Sequence, residues 1–317
     1  MKKIVIALLV LCCLVLICIY AFIPGRIEFE KVIRIKVNQS NASRFLADES
    51  KWRKWWPKGD NRIEQADTIN SNIDYVYKNY HYVINRNIMP VDSIVIKKNS
   101  IRINSLLNMI ALSVDSVAIQ WAGQSTTESN PVKRLQNYLQ RKKVVKNVEE
   151  LLQSMKVFLE NEKNIYGIHI EQVKVKDTLL VATRYSSNSY PTTYEIYNLI
   201  KSLKDYILEK GATETNYPML HIREDSAGFN TMVAIPVSKL IPTNNNFILK
   251  RMVPGKILVT EVKGGRYTTD EALKQLEIYL DDNHLRSPAI PFESLVTDRS
   301  KEPDTSKWIT KIYYPIY

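Results

Sequence analysis

The chain has 317 residues, 45% of them apolar and 24% charged, with a formal net charge of +11. That length and mixture suit about two domains and exclude a disordered or fibrous chain. Only 9 residues are glycine, and no G-x-G-x-x-G, G-x-x-x-x-G-K-[ST], G-x-S-x-G or H-E-x-x-H occurs, so the commonest nucleotide, hydrolase and zinc-protease motifs are missing.

Lys2 and Lys3 precede an apolar run from Ile4 to Pro24. About 20 residues at ~1.5 Å rise cover ~30 Å, the thickness of a hydrocarbon core. Residues 1–25 are therefore expected to form an uncleaved membrane anchor. A cleavable signal peptide would have a shorter apolar region and small residues at its exit. Here the exit reads Cys18-Ile19-Tyr20-Ala21-Phe22-Ile23-Pro24, and the large Leu11 and Ile17 before Cys12 and Cys18 argue against a lipoprotein. Lys2 and Lys3 favour an inside N-terminus, whereas Arg26, Lys31, Arg34 and Lys36 favour the reverse. Large following domains cross regardless of charge, so a single-pass protein with its body outside the cytoplasm is expected. All three cysteines (Cys12, Cys13, Cys18) lie in this run. The body is left without a disulfide, a zinc thiolate or a cysteine nucleophile.

The positive charge reads as a solvated surface. Its densest run, Arg141-Lys142-Lys143, shares a segment with Glu149 and Glu150. No DNA-reading helix-turn-helix is apparent, and no nucleic-acid partner is expected.

The body has two rhythms. From residue 27 to 161 a first strand (Val32, Ile33, Ile35, Val37) leads into a short helix over Asn38–Asp48. Period-two alternation follows at Ile73/Tyr75/Tyr77, Ile94/Ile96, Ile101/Ile103 and Val117/Ile119/Trp121, predicting a sheet with one face inward. Val144 to Leu159 then switches to helical spacing, with Val148, Leu151, Leu152, Met155 and Leu159 on one side. The W-x-x-W-x-P at Trp52-Arg53-Lys54-Trp55-Trp56-Pro57, with this element order, resembles the START-like (SRPBCC, polyketide-cyclase-like) superfamily. The resemblance implies a helix-grip fold around an apolar cavity for lipids or other hydrophobic ligands. It would place Trp52 and Trp55 near the helix–sheet junction and Tyr75, Tyr77 and Trp121 toward the cavity. The alternative is that these rings fill the core, since a large aromatic buries 150–250 Å² wherever it packs.

The region 166–317 carries an internal repeat, about 168–238 and 248–317. One unit runs Leu179–Thr183, Tyr190, a helical stretch Tyr194–Lys210, Tyr217-Pro218, then Ala234–Val237. The other runs Ile257–Glu261, Tyr267, a helical stretch Asp270–Asn283, Ile290-Pro291, then Tyr314–Ile316. The stripes Ile196/Ile200/Leu203/Ile207 and Leu273/Leu276/Leu280 mark the helices. Each unit reads strand, helix, strand, strand, and neither alone has enough core, so the two are expected to pack together. With Gly265-Arg266-Tyr267, Pro291-Phe292-Glu293, Asp298 and the closing Ile312-Tyr313-Tyr314-Pro315-Ile316, this duplication resembles the GyrI-like small-molecule-binding domain, also the effector-binding part of multidrug-sensing regulators. The fold class implied is α+β throughout.

That resemblance implies a cleft lined by aromatics with an acidic residue, Glu293, that attracts cationic hydrophobic compounds. Tyr190, Tyr217, Tyr267, Phe292 and Trp308 are the candidate rings. Leu295 stands where the family often has Tyr, and the DNA-binding segment of the regulators is missing. A carboxylate in a cleft loses hydration, which raises its pKa. A cation restores a partner, and ring faces add about 0.5–2 kcal/mol. An alternative, also from the resemblance, is a hydrolase of small electrophiles with Glu293 as general base and Tyr267 beside it. A third reading is a structural or signalling module with closed cavities. His81, His169, His221 and His284 have no partner at metal-ligand spacing. No metal and no cofactor is expected. The partners expected are a hydrophobic or cationic small molecule and, through residues 4–24, a membrane.

Overall fold

The computed structural model describes residues 2–57, 73–86, 91–99, 101–126 and 129–317, with side chains for all of these except Lys2, Val5, Ala7, Ile27, Glu49, Ser50, Arg86, Val91 and Asp92. It is a mixed α+β structure of antiparallel sheets. Two compact units, Met1–Asn161 and Glu162–Tyr317, divide the chain.

The N-terminal unit opens with helix α1 (Lys2–Phe22). Among the described residues no helix is long and apolar enough to cross a membrane; the side chains of Lys2, Val5 and Ala7, within the expected anchor, lie outside those described. The described large apolar side chains of α1 are exposed, from 42% at Leu16 to 80% at Phe22, except Ile19, which is partly buried.

Strand β1 (Arg26–Ile35) leads to helix α2 (Gln39–Leu46), which Asn38 caps by accepting from the Asn41 amide at 2.9 Å. A 3-10 turn over Glu49–Lys54 carries Trp52. Then come β2 (Ile73–Tyr77), β3 (Tyr80–Arg86), β4 (Val91–Lys98), β5 (Ile101–Ser113) and β6 (Ser116–Thr126). They form one antiparallel sheet in the order β1-β6-β5-β4-β3-β2. Lys78 and Asn79, both at positive φ, make the tight turn joining β2 to β3.

Helix α3 (Pro131–Leu159) buries Val144, Val148, Leu151, Leu152, Met155 and Leu159 in this unit. The apolar stripe predicted a helix from Val144 only. The extra N-terminal turns carry exposed Val132, Leu135 and Leu139, so their periodicity is silent. What starts the helix is a cap: Asn130 Oδ1 accepts from the Val132 and Lys133 amides, and Pro131 occupies the first turn. Arg134 of this segment donates to the carbonyl of Ile23 at the end of α1.

The C-terminal unit begins with the short helix α4 (Glu162–Tyr166) and edge strand β7 (Glu171–Lys174). The sequence β8 (Leu179–Ser187), α5 (Thr193–Glu209), β9 (Met219–Asp225), β10 (Gly228–Pro236) is followed by strand β11 (Ile248–Arg251). The same order returns as β12 (Lys256–Lys263), α6 (Arg266–Asp282), β13 (Phe292–Leu295) and β14 (Ile309–Ile316). A Thr192/Glu195 capping box starts α5.

All eight strands make one sheet, β11-β8-β10-β9-β13-β14-β12-β7. The repeats are mirrored across the β9–β13 junction, where Glu293 lies opposite Leu220. The outer strands are exchanged. β7, which precedes β8 in the chain, pairs with β12 of the second repeat, and β11, which precedes β12, pairs with β8 of the first. Each repeat thus covers the other's open edge, which would otherwise expose unpaired amides and carbonyls.

Both helices lie on one side of the sheet. Ile196, Ile200, Leu203 and Ile207 of α5 pack with Val181, Leu220, Val233, Ile235 and Leu295. Ala272, Leu276 and Leu280 of α6 pack with Leu258, Val262, Ile312 and Ile316.

Candidate functional site

Alternation places Glu293 and Leu295 of β13 on the helix side of the C-terminal sheet, and Phe292 and Ser294 on the other. Leu295 belongs to the α5 cluster, and Ile312, opposite Glu293 in the register, belongs to the α6 cluster. Glu293 therefore sits at the seam between the two helical cores. Its side chain is 14% exposed. Burial pushes its pKa above the ordinary value, and the Arg299 guanidinium opposes that rise.

Arg299 comes from the connection between β13 and β14, which is long where the matching β9–β10 turn is tight. Its Nη2 donates to Glu293 Oε2 at 3.2 Å and to Thr310 Oγ1 at 2.7 Å. The guanidinium lies 4.8 Å from the centre of the Trp308 ring and is 11% exposed. The connection is pinned on both sides. Tyr197 of α5 donates to the Thr297 carbonyl at 3.1 Å and accepts from the Arg299 amide at 2.6 Å. Trp308 Nε1 donates to the Glu302 carbonyl at 2.7 Å. Asp298 accepts from the amide and hydroxyl of Ser300, which holds its carboxyl below the ordinary range.

A second guanidinium stands nearby. Arg266, at the start of α6, lies 3.5 Å from the centre of the Tyr190 ring and pairs with Asp270 at 3.3 Å. Tyr190 packs edge-on against Phe229, and burial pushes its phenol up to about 12, with the charge of Glu293 adding to the rise.

Of the rings expected around Glu293, the structure thus gathers Tyr190 and Trp308. It does not gather the other three. Tyr267 is 83% exposed on the first turn of α6, where the helix stripe faces inward without it. Tyr217 is 47% exposed before β9. Phe292 stacks on Tyr313 at 5.1 Å on the helix-free face, because neighbouring strand residues point to opposite sides. Arg299 was not legible as a site residue: it lies in a loop of mixed charge, and only the closing of that loop brings it to Glu293.

In the N-terminal unit, Trp52, Trp55, Tyr75 and Trp121 are all at most 2% exposed and pack ring on ring. Trp52 lies 5.2 Å from Trp55 and 6.3 Å from Tyr75. Trp56, also part of the motif, lies 4.8 Å from Tyr75. Trp121 meets Tyr82 at 6.1 Å and donates to Ser105 Oγ at 3.0 Å, which in turn donates to the Ile94 carbonyl. Tyr77 points elsewhere: its hydroxyl donates to Glu150 on α3 at 2.8 Å. The rings here fill the space between themselves.

The helix-free face of the C-terminal sheet holds a cavity of about 470 Å³, lined by Leu180, Met219, Met232, Ala234, Met252 and Phe292 among others. Apart from Phe292, none of these residues stands out in the sequence as a site residue. The cavity's signal was present in the continuous apolar runs Leu179–Ala182 and Met232–Val237, which mark strands buried on both faces.

No protein-family model matches the chain, and no curated protein matches it. Among solved structures the chain is similar to the C-terminal domain of EcmrR, at 15% identity and a TM-score of 0.41 over 47% of this chain and 98% of that one. A hydrolase from Listeria innocua is similar at 11% identity and a TM-score of 0.38, over 47% of this chain and 91% of that one. A START superfamily protein from Mycobacterium smegmatis is similar at 12% identity and a TM-score of 0.31, over 42% of this chain and 97% of that one. At these identities and scores the likenesses assign no activity to this chain.

Proposed function

We propose that this protein is a membrane-tethered, non-catalytic binder of small molecules, and that its C-terminal unit takes aromatic cations at Glu293 in exchange for Arg299. The observation that carries the proposal is the setting of the Arg299 guanidinium. It lies between a partly buried carboxylate and an indole face, the two contacts an aromatic cation would itself seek. Arg299 is then an internal stand-in for the ligand. A competitor tethered by a short loop acts at an effective concentration in the mM range. Binding therefore requires the loop to withdraw, and the ligand's affinity is reduced by what Arg299 gives up.

The hydrolase alternative is not adopted. It needs Tyr267 beside Glu293, whereas the Tyr267 phenol is exposed on the first turn of α6. For the N-terminal unit, the mutual packing of its rings supports a core rather than an open apolar cavity.

Support for the tether is the apolar run Ile4–Pro24 behind Lys2 and Lys3, together with helix α1, whose exposed leucines, isoleucines and valines suit lipid and not water. The body is proposed to lie outside the cytoplasm, as large following domains cross regardless of flanking charge.

The test uses the full chain in phospholipid nanodiscs, with (naphthalen-2-yl)trimethylammonium titrated against thermal midpoint and calorimetric heat. Arg299→Ala is expected to raise the affinity at least tenfold, and Glu293→Gln to abolish it. Cation binding undiminished in Glu293→Gln would overturn the assignment.

A further inference from the structure

The helix-free face of the C-terminal sheet has no use in the binding scheme above, yet it is apolar. Leu180, Ala182, Met219 and Ala234 are buried there as a cluster of their own, with Met232, Ile248, Met252 and Phe292 packed against it. Strand β11 and the residues after it close one side of the cavity, and Pro288–Ile290 close another. Three methionines contribute to the lining. Thioether side chains are unbranched and adaptable, and they serve surfaces that must fit more than one shape. The volume of about 470 Å³ falls within the roughly 300–1,000 Å³ of sites for small organic molecules.

Charge decides the class of ligand. Lys250, Arg251 and Lys256 line this cavity, and no Asp or Glu does; of the three, Lys250, opposite Leu180 in the register, is placed by alternation on this face, whereas Arg251 pairs with Leu179 and Lys256 with Ile316, on the helix side. Among the described residues none of these three cations forms a salt bridge, although many other basic residues of the chain do. Unpaired cations around a partly enclosed apolar space raise the local concentration of anions. A fourth group, His221, donates Nδ1–H to the Pro291 carbonyl at 2.8 Å. The carbonyl can only accept, so this bond fixes the tautomer and leaves Nε2 as an acceptor. Burial pushes the imidazole pKa down, with the charges of Arg223 and Lys250 adding to the fall. The imidazole is therefore neutral near pH 7. The positive charge on this face is that of Lys250, with Arg251 and Lys256 beside it at the ends of strands β11 and β12.

We propose that this cavity is a second binding site, for small apolar acids: a compact hydrophobic body with one carboxylate or sulfonate. The body rests on the methionine-lined sheet, and the anionic head meets the Lys250–Lys256 side of the opening. This site is separate from Glu293, which lies on the other face of the same sheet and takes the opposite charge. The central strands β9, β10 and β13 each present residues to both sites.

The experiment measures naphthalene-2-carboxylate and the matched cation (naphthalen-2-yl)trimethylammonium by ligand-detected NMR and calorimetry. It uses the full chain carrying Glu293→Gln in phospholipid nanodiscs, with empty nanodiscs as the blank. The acid is expected to bind at least tenfold more tightly than the cation. Lys250→Glu with Lys256→Glu is expected to weaken the acid at least tenfold. Ala234→Trp, which fills the cavity floor, is expected to abolish its binding. The charge-reversal pair leaves the packed residues untouched and keeps the test decisive if Ala234→Trp fails to fold. Equal affinity for the two probes overturns the proposal, as does acid binding that is indifferent to the charge reversal. Glu293→Gln alone, compared with the unmodified chain, is expected to leave acid binding unchanged, so failure of the cation site and failure of this one are told apart.

Discussion

Replacing Arg299 by Met keeps much of the side chain's length and removes its charge. Glu293 is then left in a seam where it is 14% exposed, with its nearest cation gone. Breaking a buried ion pair by deleting one partner costs about 3–5 kcal/mol. The residual exposure of both groups puts this pair at the low end, ~3 kcal/mol. For a unit of 150–250 residues, each kcal/mol moves the thermal midpoint by roughly 2–4 °C. Arg299→Met is therefore expected to lower it by roughly 6–12 °C at pH 8.

The loss is pH-dependent, with a definite sign. Burial raises the pKa of Glu293 above its ordinary 4.5, so the folded state holds the proton more readily than the unfolded state. Such a group contributes fully below the unfolded pKa and loses its contribution as pH rises through the folded one. Arg299 opposes the rise. Without it the folded pKa climbs further, so the destabilisation deepens between pH 5 and pH 8. The double variant Arg299→Met/Glu293→Gln removes both charges and is expected to recover most of the loss and to be flat across that range. Calorimetry of the full chain in nanodiscs at pH 5 and pH 8 reads both effects. A loss in Arg299→Met that is equal at the two pH values, or a double variant no better than the single, would refute the reasoning.

Two further predictions concern the N-terminal unit. Trp121 is fully buried and anchors the ring cluster through its bond to Ser105; Trp121→Ala is expected to cost about 3–5 kcal/mol, seen as a fall in the chemical-denaturation midpoint. Gly123 lies under the Phe29 ring, with which an added Cβ would collide. Gly123→Ala is expected to cost about 1–3 kcal/mol, and Phe29→Leu in the same chain is expected to restore most of it.

Periodicity and local chemistry carried much of the architecture. Alternation at Ile94/Ile96 and Val117/Ile119/Trp121 marks strands β4 and β6 because a pleated strand must turn every second residue inward. The stripe Ile196/Ile200/Leu203/Ile207 marks α5 because 3.6 residues per turn bring those positions to one side. The order strand, helix, strand, strand is written twice in the chain and stands twice in the fold. Where a segment buries little, as in the first turns of α3, apolar spacing is silent and only the Asn130-Pro131 cap speaks. The short edge strands β7 and β11 were invisible for a related reason. At four residues each they offer almost no pattern, and their partners lie in the opposite repeat.

Alternation also put Glu293 and Phe292 on opposite faces, but it is blind to what occupies either face. Whether Glu293 meets a ligand, water or another side chain depends on where the β13–β14 connection returns, and only the folded chain brings Arg299 and Trp308 onto that carboxylate. The cavity on the far face is likewise a property of three dimensions. Methionines from two strands and from the residue after β11, with cations beyond them, become neighbours through sheet order, which is set by long-range pairing. The local spacing of residues determined the elements; the closure of chain segments distant in sequence decided which charges face which surfaces.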